Sequence, residues 1–126
     1  MNRRSFVLLF AVLLGAGGCG HNSEEGDDPA PRRGPVRLVL ANQNFADMNI
    51  YATEVGRRTR VGMVTGNSTA TLAVSGSLFP TGQLNLIAVP IGGRGRASTG
   101  PLLVRGGETV YFTITPQLST SYASVQ

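Results

Sequence analysis

From Val36 onward the chain alternates apolar and polar residues with a period of two, and that alternation restricts it to strands. Val36-Arg37-Leu38-Val39-Leu40 and Met48-Asn49-Ile50-Tyr51-Ala52 each send every second side chain to one face. Further strands are predicted over Thr59–Val64, Ala70–Val74, Leu84–Val89, Leu102–Val104 and Thr109–Thr115. The run at Leu84 is almost uniformly apolar, as a central strand is. Gly56-Arg57-Arg58, Gly66-Asn67-Ser68, Pro80-Thr81-Gly82, Gly92-Gly93 and Gly106-Gly107 supply the turns. No segment sustains a helical period. The expected fold is therefore all-β, a single antiparallel β-sandwich of about seven strands over residues 36–126. A small open barrel is the alternative. The predicted core is Leu38, Leu40, Ile50, Val61, Leu72, Leu84, Leu86, Val110, Phe112 and Ile114. The tail from Gln117 to Gln126 either frays or adds an edge strand.

In architecture this pattern resembles immunoglobulin-like and transthyretin-like sandwiches. The immunoglobulin Cys–Trp–Cys signature is absent, because the chain has no tryptophan and its single cysteine is Cys19. No disulfide can join the sheets, but a domain of this length can fold without one.

The N-terminus carries a different signal. Met1-Asn2-Arg3-Arg4 precedes an apolar run from Phe6 to Leu14, and Gly15-Ala16-Gly17-Gly18 leads directly to Cys19. A basic start, a short apolar stretch and small residues at the cleavage site make a secretory signal peptide. Residues 1–19 resemble the signal peptide and lipobox of bacterial lipoproteins, with Ala16 where leucine is usual. That resemblance implies removal of residues 1–18 and acylation of Cys19, with two or more acyl chains giving a stable membrane anchor. Gly20 after the cysteine implies the outer membrane, on its periplasmic side or at the cell surface. Arg3-Arg4-Ser5-Phe6-Val7 also resembles the twin-arginine export motif, although two arginines equally serve a general secretory signal.

Residues 19–35 then read as lipidated cysteine and tether. The sixteen residues from Gly20 to Pro35 contain no aromatic or β-branched side chain, a composition too poor to order itself. Such a spacer reaches ~55 Å fully extended and averages ~22 Å as a flexible coil.

The chemistry for catalysis is sparse in the sandwich. The one histidine, His21, lies in the spacer, which removes histidine triads and histidine metal sites from the domain. There is no lysine for Schiff-base or Ser–Lys chemistry. The domain carboxylates are Asp47, Glu54 and Glu108, each beside a turn or strand end. Gly92-Gly93-Arg94-Gly95-Arg96 has neither a phosphate-loop lysine nor dinucleotide glycine spacing. A non-enzymatic module with no cofactor and no metal is expected; an envelope hydrolase with an unrecognised acid or serine site is the alternative.

Charge locates the candidate binding residues. The spacer carries four acids against two arginines, whereas the domain carries seven arginines (37, 57, 58, 60, 94, 96 and 105) against three acids. A basic exported domain is drawn to anionic surfaces rather than to nucleic acid. If every strand crosses the sandwich once, alternate connections share an end. Arg57, Arg58 and Arg105 then fall at the end where the tether attaches, as candidate membrane-facing residues. Asn44, Asn67, Arg94 and Arg96 fall at the opposite end, as a candidate binding loop cluster. The expected partners are the membrane, through the covalent lipid, and an envelope protein or anionic glycan. Replacing Cys19 with Ser moves the protein from the membrane to the soluble fraction, read by fractionation and acyl-chain labelling; continued membrane retention removes the anchor.

Overall fold

The computed structural model of the chain describes residues 34–126, so the signal segment, Cys19 and the spacer through Arg33 lie outside the described residues. Eight strands follow one another: β1 Val36–Asn42, β2 Met48–Glu54, β3 Arg57–Val64, β4 Ser68–Val74, β5 Gln83–Pro90, β6 Ala97–Leu103, β7 Thr109–Ile114 and β8 Tyr122–Val125. They form two separate sheets, ordered β4-β1-β7-β8 and β3-β2-β5-β6, rather than a barrel. Their inner faces share one apolar core.

The alternation in the sequence becomes the core. Val36, Leu38 and Leu40 of β1 point inward with Val110, Phe112 and Ile114 of β7. Met48, Ile50 and Ala52 of β2 meet them from the opposite sheet, beside Leu84, Leu86 and Ala88 of β5. β5 is interior to its sheet, and its outward Ile87 is also buried. Val61 and Leu72, expected in the core, are only half-buried against it. They belong to β3 and β4, the edge strands of the two sheets, where inward side chains reach the flank.

Two features depart from the sequence reading, the extent of β6 and the parallel pairing of β1 with β7, and the tail takes the second of its two expected forms. β6 starts at Ala97, five residues before the predicted Leu102, through Gly100 and Pro101. An edge position tolerates that proline because no outer neighbour needs its missing N–H. The register shifts between Asn85 and Ile87, and the Leu86 N–H donates to Thr99 Oγ1 at 3.0 Å. The tail resolves as β8, antiparallel to β7, and Thr109 and Gln126 exchange backbone hydrogen bonds of 2.8 and 2.9 Å. Finally, β1 and β7 are parallel, whereas the other pairings are antiparallel. Immunoglobulin domains pair their first strand with the second. Here β1 sits between β4 and β7, which departs from that immunoglobulin pairing.

Each strand crosses the sandwich once. The near end, where Gly34 leads into β1, carries the β2–β3, β4–β5 and β6–β7 connections; the far end carries the others. Phe79 closes the near end. A short 3₁₀ turn, Gly76–Leu78, capped by Ser75, delivers this ring into the core with only 1% of its surface exposed. Truncating a fully buried phenylalanine removes its transfer energy and leaves a cavity. Phe79→Ala lowers stability by about 3–5 kcal/mol, read as a reduced urea midpoint with unchanged slope.

Candidate functional site

The far end is organised around a buried amide. Asn42 ends β1 at an inward position and is 3% exposed, the one polar side chain among the buried residues described. Its Nδ2 donates to Ala46 O at 2.9 Å and to Thr65 O at 3.1 Å, while Oδ1 accepts the Asn44 N–H at 3.0 Å. An amide has two donors and an acceptor oxygen, and this one uses both kinds. Asn44 continues the network: Oδ1 accepts the Ala46 N–H, Nδ2 donates to Pro116 O, and its carbonyl accepts the Asn67 N–H. Asp47 Oδ1 accepts the Gly66 N–H at 2.9 Å, and Asp47 O accepts the Ile91 N–H at 2.9 Å. The β1–β2, β3–β4 and β7–β8 connections and the start of β5–β6 are thereby tied together.

Two residues of the β3–β4 turn are conformationally demanding. A Cβ on Gly66 would overlap the Phe45 carbonyl, so only glycine fits. Asn67 adopts φ 50, a left-handed conformation that asparagine tolerates. The structure thus brings Asn44 and Asn67 together, but as braces of the loop cluster. The Asn44 amide is consumed by Ala46 and Pro116, whereas the Asn67 side chain is exposed. Arg94 and Arg96 lie in the exposed 91–96 loop at this end. Gly95 between them approaches Leu118 of a second 3₁₀ turn, Leu118–Thr120, and has φ 83.

At the near end the three expected arginines separate. Arg57 is exposed beside the two-residue β2–β3 turn, and Arg105 is exposed in the β6–β7 connection. Arg105 joins Phe79, Pro80, Gly82, Leu103 and Glu108 around a shallow groove of about 540 Å³. Arg58 instead turns onto the outer face of the β3-β2-β5-β6 sheet, its guanidinium carbon 4.3 Å from the centre of the Tyr51 ring. Arg60 lies on the same face, with Nε and Nη2 donating to Asn49 Oδ1 at 3.2 and 3.0 Å. Arg60, Asn49 and Tyr51 were not among the expected site residues. Strand alternation places Arg58 and Arg60 on one face, but only the observed register with β2 supplies their partners.

The carboxylates do not form a catalytic pair. Asp47 serves the far end, and Glu108 Oε2 accepts the Arg105 N–H at 2.7 Å at the near end. Glu54 ends β2 opposite Arg57. Among the described residues no three His, Cys, Asp or Glu side chains gather as metal ligands.

No family model matches the chain, and no curated protein is similar to it at a significant level. A solved structure with a related outline is the NMR structure of a protein from Eubacterium rectale. It has a TM-score of 0.42 and 14% identity, over 78% of this chain and 91% of that one.

The far-end braces give a direct test. Asn42→Ala leaves the Ala46 carbonyl and the Asn44 N–H without their Asn42 partner, and the Thr65 carbonyl with only Ser68 Oγ, at a cost of about 1–3 kcal/mol. Amide hydrogen exchange then quickens in residues 43–47 and 65–67 while the β5 amides stay protected; uniform behaviour across the sandwich would contradict the bracing role.

Proposed function

We propose that this protein is a non-catalytic binding or adaptor module of the bacterial cell envelope, held by lipid on Cys19 and presenting its far end to a partner. The observation supporting this reading is the opposition of the two ends. The chain joins β1 at one end, while the exposed Arg94–Arg96 loop projects from the other, beside connections stitched by Asn42, Asn44 and Asp47. A braced scaffold carrying an exposed basic loop is a common arrangement for recognition. Two guanidinium groups on a glycine-rich turn suit a carboxylate- or phosphate-bearing partner, either an envelope protein or an anionic glycan.

Arg57 and Arg105 at the near end face the bilayer in this orientation, each contributing on the order of 1 kcal/mol against anionic head groups. Outer-membrane placement follows from the lipobox resemblance and Gly20. The carboxylates support this reading over a hydrolase, because Asp47 and Glu108 serve opposite ends and accept backbone N–H groups.

The test places a photo-crosslinking residue at Ser98, beside the loop, in intact cells. Arg94→Ala with Arg96→Ala lowers yield of the envelope adduct about tenfold or more, as expected from losing charge-assisted hydrogen bonds. The Cys19→Ser protein loses the adduct through mislocalisation. An undiminished adduct in the double arginine variant removes the loop from the function.

A further inference from the structure

The near end carries an apolar rim that the core does not use. Of the large apolar side chains exposed among the described residues, Val55 (105%) and Leu103 (82%) lie at this end. Sheet register brings them into one row. Continuing the β2–β5 register two residues past Thr53↔Asn85 sets Val55 across from Gln83, and Gln83 pairs with Leu103. Neighbouring strands lie ~4.8 Å apart, so the two backbones stand ~10 Å from each other along the rim. The shallow grooves that Val55 and Leu103 border meet at Thr81, which makes the rim continuous.

Local structure does not demand either side chain. Val55 and Gly56 connect β2 to β3, and the left-handed φ of 71 falls on Gly56, so a polar residue at 55 would serve the turn equally well. Leu103 ends β6, the outermost strand of its sheet. Each is followed two residues later by an exposed arginine, in Val55-Gly56-Arg57 and Leu103-Val104-Arg105. At this end Arg37, Arg57, Arg58 and Arg105 outnumber Glu54 and Glu108, and the Glu108 carboxylate is turned to the Arg105 N–H.

Where the chain enters decides what the rim meets. Gly34 leads into β1 here, close beside Gly106 of the β6–β7 connection. Fourteen residues separate it from Cys19, a length that spans no more than roughly 50 Å fully extended. Phe45 and Ile91, exposed apolar residues of the far end, lie a strand length of ~23 Å further from that entry point.

We propose that this rim is a second membrane contact, in which Val55 and Leu103 enter the boundary between lipid head groups and acyl chains while Arg57 and Arg105 meet anionic head groups. Apolar side chains in that position reach ~5–10 Å below the surface, and flanking arginines extend their stems through it to the phosphates. The contact fixes the tilt of the domain and turns the far end away from the bilayer. It rests on the proposed anchor at Cys19, which brings this end to the membrane.

The chain contains no tryptophan, so Val55→Trp, Leu103→Trp and Phe45→Trp each introduce a single fluorophore at an exposed position. Each processed protein is reconstituted into phosphatidylcholine vesicles with and without phosphatidylglycerol, part of the lipid being brominated on its acyl chains. Emission of the Val55→Trp and Leu103→Trp proteins shifts to the blue and is quenched by bromine; that of Phe45→Trp does neither. Val55→Ser, added to Leu103→Trp, reduces the quenching. Phosphatidylglycerol strengthens it, and Arg57→Gln with Arg105→Gln removes that gain. Equal quenching of all three proteins, no quenching at the rim, or indifference to Val55→Ser or to anionic lipid each overturns the proposal. So does a blue shift that needs no vesicles and grows with protein concentration, as pairing with a second copy would give. The acyl anchor is read separately, by mass and flotation. A protein that floats without quenching at the rim overturns this contact and keeps the anchor; an unacylated protein quenched at both rim positions keeps the contact and removes the anchor.

Discussion

The two sheets are joined by apolar side chains, because the domain contains no cysteine to link them. Everything else depends on that contact. Leu38, Leu40, Val110, Phe112 and Ile114 from one sheet pack against Met48, Ile50, Leu84 and Leu86 from the other, all fully buried. A single-residue slip in any of these strands would send its apolar set to solvent, so the core also fixes the register. Phe79 extends the same contact to the near end, where a loop residue takes the role a strand cannot.

Asn42 is the exception that shapes the far end. Its position continues the inward series of β1, yet three backbone groups surround it where the chain leaves the sheet. A leucine there would preserve the alternation and abandon those groups. Burial of an amide is tolerable because both its donors and its oxygen are used. The consequence is a stiff platform at the end opposite chain attachment, with the 91–96 loop standing beside it. The chain thus enters β1 at one end, and the braced connections lie at the other.

The arginines show how position alters the meaning of a residue type. Arg57 and Arg58 are adjacent in sequence, but strand alternation sends them to different surroundings. One remains at the turn; the other lies on Tyr51. Arg60, two residues further, is held by Asn49 rather than by a carboxylate. Arg94 and Arg96 stay in an exposed loop, where the glycines impose no comparable order. Basic composition therefore resolves into an end facing the chain's attachment, a far loop and a sheet face.

Much of this was legible from the residues alone. Period-two alternation and glycine-rich turns determined an all-β chain, the central place of β5, most of the core and the separation of the loops into two ends. These follow from local geometry, since a strand can bury only one of its faces and each crossing reverses direction. Tertiary structure decided what depends on neighbours distant in the chain. The sixth strand was expected only from Leu102 until an edge position allowed β6 to run through Gly100 and Pro101, and the tail became β8 only because β7 offered a partner. The parallel β1–β7 pairing, the bracing by Asn42 and Asn44, and the partners of Arg58 and Arg60 all rest on register between strands. Register is a relation between segments, set by how two faces pack, and no single segment contains it.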